Sequence, residues 1–157
     1  MNAENILEKI NGEIRDQILE AAVMNAPRRI QVKVQREQLN PVLAYLKEKL
    51  GFTHLGTISG NDLGDNFEVV YHMSSSAATV NVRLLTPRSD PRIPSVCAVI
   101  PGAILYEREL QDMFGLKVEN IPDPRPLLLA DDWPAGEYPL RKDWKFNRPA
   151  EIIPGGE

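Results

Sequence analysis

Leu105-Tyr106-Glu107-Arg108-Glu109-Leu110-Gln111-Asp112-Met113-Phe114-Gly115 sets four charged residues inside an apolar helical pattern. At about 100° per residue, Tyr106, Leu110, Met113 and Phe114 share one arc, Arg108, Glu109 and Asp112 lie roughly opposite, and Glu107 stands at the apolar edge. Arg108 and Asp112 are i,i+4 neighbours and can pair. Pro101 suits a first turn, and Gly115 suits the left-handed position that ends a helix. The stretch therefore predicts a short helix with one apolar and one charged face.

Working back toward the N-terminus, residues 5–23 place Ile6, Leu7, Ile10, Ile14, Ile18, Ala21 and Ala22 at near-helical spacing, which predicts an amphipathic helix closed by Pro27. Residues 29–34 alternate, with Ile30, Val32 and Val34 on one face, and predict a half-buried strand. Asn40-Pro41 is a helix-start signal and Gly51 a stop, so a second helix is expected over residues 41–50. Residues 52–59 and 67–74 flank the Gly60-Asn61-Asp62-Leu63-Gly64-Asp65 turn, and residues 78–85 follow after the small residues 74–76; rich in β-branched and aromatic side chains, the three runs predict an antiparallel meander. Residues 86–94 hold three prolines and read as loop, and residues 95–100 as a short buried strand leading into the central helix.

Beyond Gly115 the texture changes, because seven of the thirteen prolines fall in the last 36 residues. Regular structure is not expected there. The same segment carries Leu127-Leu128-Leu129, Trp133, Tyr138, Leu140, Trp144 and Phe146, too apolar for a solvated tail, so it should lie pinned against something. The expected architecture is α+β: two N-terminal helices, a mixed or antiparallel sheet of about four to five strands, a short central helix and an extended Pro-rich C-terminal arm. The core domain is expected over residues 1–117 and the partner-binding arm over 118–157.

Composition excludes several classes. With 157 residues, 43% hydrophobic and 25% charged, the chain can bury a core of its own. A net charge of −4 and scattered cations give no basic stripe for nucleic acid. The single cysteine, Cys97, lies among Val96, Ala98 and Val99 and reads as a buried, inert thiol in a reducing compartment. Two acids within the first nine residues argue against a secretory leader, and no run approaches the ~20 apolar residues of a membrane span.

The search for chemistry is mostly negative. The glycines match no phosphate-binding loop, two histidines and one cysteine make no zinc spacing, and no Gly-x-Ser-x-Gly frame surrounds a serine. His54 and His72 fall in expected strands. Glu107 and Glu109 diverge by about 200° around the helix and cannot face one substrate. Glu109 and Asp112 share a face with Arg108, which reads as a salt-bridged face or as a surface docking on a partner. Asp131-Asp132 before Trp133-Pro134 reads as a turn. Arg141, between Leu140 and aromatic neighbours, fits an interface anchor.

Residues 106–115, followed by Pro122-Asp123 and by Pro139-Leu140-Arg141-Lys142-Asp143, resemble the 30-kilodalton subunit family of respiratory complex I, most sharply over residues 93–144. Respiratory members usually carry Asn-Trp where this chain has Ile104-Leu105, and Gly-His where it has Asn120-Ile121. Leu127-Leu128-Leu129-Ala130-Asp131-Asp132-Trp133-Pro134, then Gly136 and residues 138–143, are similar to the equivalent subunit of membrane-bound, energy-converting nickel-iron hydrogenases.

That resemblance implies a non-catalytic subunit at the cytoplasmic face of the membrane. It would hold no cofactor or metal itself, with a nickel-iron site and iron-sulfur clusters in partner subunits. The implied partners are a hydrogenase-like large subunit, an iron-sulfur small subunit and a ferredoxin-like iron-sulfur subunit, with membrane contact only through the complex. Arg108, Glu109, Asp112, Asp123, Arg125 and Trp133 would dock on them, together with Tyr138, Leu140, Arg141, Lys142, Asp143 and Trp144. The alternatives are the corresponding subunit of an NADH:quinone oxidoreductase and, from a different class, a free-standing carboxylate-dependent hydrolase acting through Glu109.

Overall fold

The computed structural model of the chain describes residues 2–23, 26 and 28–146. Pro27, the expected stop of the first helix, and the last part of the expected arm, residues 147–157, lie outside the described residues. A five-stranded mixed sheet in the order β1-β2-β5-β4-β3 forms the centre. Its strands are β1 (Glu20–Val23), β2 (Arg29–Val34), β3 (His54–Asp62), β4 (Asn66–Ser74) and β5 (Thr79–Pro87). β3, β4 and β5 make the expected antiparallel meander, and β5 runs parallel to β2.

One face of the sheet is apolar because the strands alternate. Ile30, Val32 and Val34 of β2, Phe67, Val69, Tyr71 and Met73 of β4, and Val80, Val82 and Leu84 of β5 are all buried. Helices α1 (Ala3–Glu13), α2 (Leu39–Glu48) and α3 (Ile104–Phe114) cover that face and share one hydrophobic cluster with it. α1 is capped by the Asn2 side chain, which accepts from the Asn5 amide at 2.9 Å, and it buries Ile6 and Ile10.

The first helix is shorter than its periodicity predicts. It ends at Glu13, a single 3-10 turn covers Arg15–Gln17, and Glu20–Val23 becomes an edge strand antiparallel to β2. Ile18, Ala21 and Ala22 fit either period, and pairing with β2, from Glu20 opposite Lys33 to Val23 opposite Ile30, decides the outcome. Asn40 is likewise not the helix cap. α2 starts at Leu39, and the Asn40 side chain donates to the Ser95 carbonyl at 3.0 Å.

Two further corrections concern residues 60–100. Gly60, Asn61 and Asp62 extend β3 rather than opening the turn. The expected strand over residues 95–100 is a turn, and the strand sits earlier, as β6 (Arg92–Pro94) inside the expected loop. β6 pairs in parallel with β7 (Lys117–Glu119), which spans the expected domain boundary at 117/118. Pro94 is tolerated because β6 has a partner on one side only.

Candidate functional site: a helix that holds the C-terminal segment

α3 is fixed on the sheet by close approach. A Cβ at Gly60 of β3 would lie 2.5 Å from the Phe114 ring and 2.9 Å from Leu110, so only glycine lets α3 come this near. Leu110 and Phe114 are buried and Tyr106 and Met113 half-buried, as the helical pattern requires; the Tyr106 hydroxyl donates to the Gly56 carbonyl at 3.1 Å. Gly115 ends the helix at φ 68°, its amide donating to the Gln111 carbonyl.

Glu107 does not stay at the edge of the apolar arc. It has no exposed surface, and its carboxylate accepts from Ser95 Oγ (2.7 Å), the Val96 amide (2.6 Å) and Cys97 Sγ (3.3 Å). The turn over residues 95–97 thus supplies the donors that a buried carboxylate needs. Cys97 is buried as expected. Burial, followed by its bond to Glu107, holds its thiol above the usual range, which disfavours the reactive thiolate.

Arg108 and Asp112 do not pair with each other. Both residues turn to the C-terminal segment of their own chain. Asp112, 7% exposed, accepts through a single oxygen from three successive amides, Leu127 (2.8 Å), Leu128 (2.7 Å) and Leu129 (3.2 Å). Consecutive N–H groups around one anion form a concave nest, and the charge strengthens each bond. Arg108 donates to the carbonyls of Arg125 (2.7 Å) and Pro126 (2.8 Å) and pairs with Asp123 at 3.3 Å. Asp123 also binds Arg125, whose guanidinium holds its carboxyl well below the usual range. Glu109, half-buried, belongs to neither set of bonds.

A second clamp gathers around Asp62, at the end of β3 and 2% exposed. It accepts from the amides of Gly64 and Lys142 and from Arg88, each at 2.9 Å, and Arg88 reaches on to Asp143 at 2.6 Å. Burial alone would raise the Asp62 pKa, but these two amides and the Arg88 charge outweigh it and hold the carboxyl low. Arg141 donates to the Phe114 carbonyl at 2.7 Å and lies over the rings of Tyr138 (4.3 Å) and Phe67 (5.2 Å). Arg88 approaches the same Phe67 ring at 5.1 Å.

The two clamps consume most of the charged residues predicted to dock; of the other predicted docking residues Leu140 is exposed, whereas Trp133, Tyr138 and Trp144 are half-buried. Leu128, Leu140 and Phe146 are each more than half exposed. Trp133 stacks on Trp144 at 5.9 Å, and both indoles donate to Glu137, Trp133 to its carbonyl and Trp144 to its carboxylate. Asp131-Asp132 forms the expected turn, closed by Trp133 N–H to the Ala130 carbonyl. Among the described residues, 120–146 contain no helix or strand. The sequence reading missed Asp62 and Arg88; Asp62 looks like a turn residue, and its partner at Lys142 is 80 positions away.

Among the described residues no group of three His, Cys, Asp or Glu is placed to hold a metal ion, and no helix is long and apolar enough to cross a membrane. Residues 32–150 match the family described as the respiratory-chain NADH dehydrogenase 30 Kd subunit. The chain belongs to that family.

Within the 30-kDa-subunit family, an F420H2 dehydrogenase subunit from Methanosarcina mazei is 39% identical over 149 residues, covering 92% of this chain and 93% of its own length. The membrane-bound hydrogenase subunit beta of Pyrococcus furiosus is 30% identical over 130 residues, 80% of this chain and 75% of that protein. An NADH-quinone oxidoreductase subunit from Chloroherpeton thalassium is 41% identical over 102 residues, and the alignment spans 62% of this chain but only 42% of that protein. A chain in the structure of the membrane-bound sulfane sulfur reductase, an archaeal respiratory membrane complex, superimposes with a TM-score of 0.79 at 26% identity, covering 90% of this chain and 85% of that one. The chain is thus a complex I 30-kDa-type subunit, close to subunits of F420H2 dehydrogenase and membrane-bound hydrogenase, and its relatives are subunits of oxidoreductase complexes.

Asn120, after β7, adopts φ 61°, and asparagine is among the few residues besides glycine that accept the left-handed region.

Proposed function

We propose that this chain is a non-catalytic structural subunit in the cytoplasmic arm of a membrane-bound, energy-converting nickel-iron hydrogenase. It docks the large subunit and the iron-sulfur subunits that carry electrons from ferredoxin to the nickel-iron site, while the membrane part moves ions. The observation that carries this reading is the double clamp. Charged side chains of α3, β3 and the residues after β5 hold residues 123–143 in one place, so Leu128, Leu140, Trp133 and Trp144 stand in a fixed arrangement. A preorganised apolar and aromatic surface loses little entropy on association and suits a permanent partner. Lys142 and Arg125 at its rim add register rather than affinity. The hydrogenase branch is supported by the run of residues 127–143 and by the Pyrococcus furiosus relative.

A second reading, an F420H2- or quinone-linked oxidoreductase of complex I type, is favoured by the Methanosarcina mazei relative, which is more similar and aligns over nearly its whole length. Affinity purification of the tagged chain from its native membranes separates the two. The hydrogenase reading expects co-purified subunits with stoichiometric nickel and hydrogen evolution from reduced ferredoxin. A nickel-free complex that reduces a quinone transfers the assignment to the second reading. A chain that arrives without a large subunit or iron-sulfur subunits overturns both.

A further inference from the structure

The loop over residues 126–138 closes back on α3 around a cavity of about 260 Å³. Leu129, Trp133 and Tyr138 give it apolar and aromatic walls, and three carboxylates join them: Asp112 of α3, Asp131 and Glu137. Among the described residues no lysine, arginine or histidine lines it. Arg108 and Arg141 approach the loop but are engaged elsewhere. Arg108 pairs with Asp123 and donates to the carbonyls of Arg125 and Pro126, and Arg141 donates to the Phe114 carbonyl. The cavity thus carries an excess of negative charge.

The three carboxylates are not equivalent. Asp112 is 7% exposed, and its three amide bonds all fall on Oδ2, so Oδ1 keeps its acceptor capacity. Glu137 accepts from Trp144 Nε1 at 3.1 Å, whereas Asp131 is exposed at its turn and makes no ion pair among the described residues. Two facts narrow the occupant. These carboxylates are not grouped closely enough to hold a metal ion, and the volume falls below the roughly 300–1,000 Å³ typical of cofactor and small-molecule sites. What matches is one long side chain with an apolar stem and a cationic head. Arginine suits better than lysine, because its guanidinium is planar, stacks on indole and phenol rings, and donates to two carboxylates at once.

We propose that this cavity receives one arginine side chain of a partner subunit, its stem against Leu129, its guanidinium beside Trp133 and Tyr138 and held by Asp112 and Asp131. The partner, in the docking reading on which this rests, presents a single protruding arginine, whichever oxidoreductase the chain serves. The site is continuous with the surface of that reading, since Trp133 belongs to both. Asp112 also binds the amides of Leu127, Leu128 and Leu129, so seating the arginine and ordering the segment reinforce each other.

Tagged full-length chain carrying Asp131→Lys, purified from its native membranes beside the unmodified chain and Asp132→Lys, tests the site. Both aspartates are exposed in the same turn, but Asp131 lines the cavity and Asp132 does not. Recovery of the large subunit should fall about tenfold or more with Asp131→Lys and stay at the unmodified level with Asp132→Lys, with circular dichroism unchanged in both. Equal recovery with the two variants, or equal loss, overturns the arginine site and leaves the docking reading standing. An unmodified chain that recovers no other subunit overturns the docking reading and the site with it. Electron cryo-microscopy of the unmodified complex gives a readout that needs no variant. A partner's arginine within hydrogen-bond distance of Asp112 Oδ1 or Asp131 is the expected result. An apolar partner side chain, solvent alone, or Arg148 of this chain, which lies outside the described residues, in that position overturns the proposal.

Discussion

From β1 to β7 the chain is closed by apolar side chains, with Ile30, Val32, Val69, Val80 and Val82 fully buried between sheet and helices. Residues 120–146, by contrast, bury little and are fixed by charge: Asp112 on three amides, Arg108 on two carbonyls and Asp123, and Asp62 on the Lys142 amide and Arg88. The difference has a physical consequence. Apolar burial is insensitive to pH and to modest salt, whereas a segment held by carboxylates loosens when they are protonated. The core should thus survive changes that release the segment, and each variant below either separates the two regions or shows them to be one.

Phe67 is where the comparison should fail by design. Its buried ring meets Phe114 edge-on at 6.1 Å and lies under both Arg88 and Arg141, so it belongs to core and clamp together. Phe67→Ala should cost about 3–5 kcal/mol in urea unfolding, with both regions lost in one transition. Asp62→Ala strips Arg88 and the Lys142 amide of a buried acceptor. A loss of about 3 kcal/mol is expected, with early protease cleavage near Lys142 while the sheet remains protected. Loss of the sheet at the same protease concentration would merge the two regions.

Acid provides the same separation without mutation. The carboxyls of Asp62, Asp123 and Asp143 all titrate below their ordinary range. In Asp62, burial is outweighed by the Lys142 and Gly64 amides and Arg88; bonds from Arg125 and Arg88 act on Asp123 and Asp143. Depressed carboxyls contribute stability that is complete above the unfolded value of about 3.9 and is lost as pH falls through the lower folded values. Tryptophan fluorescence of Trp133 and Trp144 should therefore change below about pH 4, while far-ultraviolet circular dichroism of the sheet holds. Coincident transitions would contradict the separation. The smallest effect belongs to Arg125→Ala. With 79% of its side chain exposed, removal should leave the urea-unfolding midpoint essentially unchanged, because Arg108 still pairs with Asp123.

How far the sequence revealed this depends on the range of the interaction. Strand β2, the antiparallel order of the meander and α3 with its Gly115 terminus follow from local periodicity and turn chemistry, although β3 runs on through residues 60–62. β1 does not, because Ile18, Ala21 and Ala22 satisfy two periods and only pairing with β2 resolves them. The charged face of α3 was legible as a feature but not in its use. Neither Asp112 binding amides 15 to 17 residues away nor Asp62 binding Lys142 leaves a local pattern. Gly115 carried half of its meaning in the sequence. Its left-handed φ was expected, but a side chain there would also collide with Tyr138 and Arg141 of the C-terminal segment.

The central claim is that α3 holds the C-terminal segment through Asp112 independently of the core. Hydrogen exchange of the full chain, compared with Asp112→Asn, measures it directly. The amides of Leu127, Leu128 and Leu129 should lose protection equivalent to about 2 kcal/mol in the variant, with the amides of β2, β4 and β5 unchanged. Equal loss in the sheet, or no loss at the three leucines, would contradict the account.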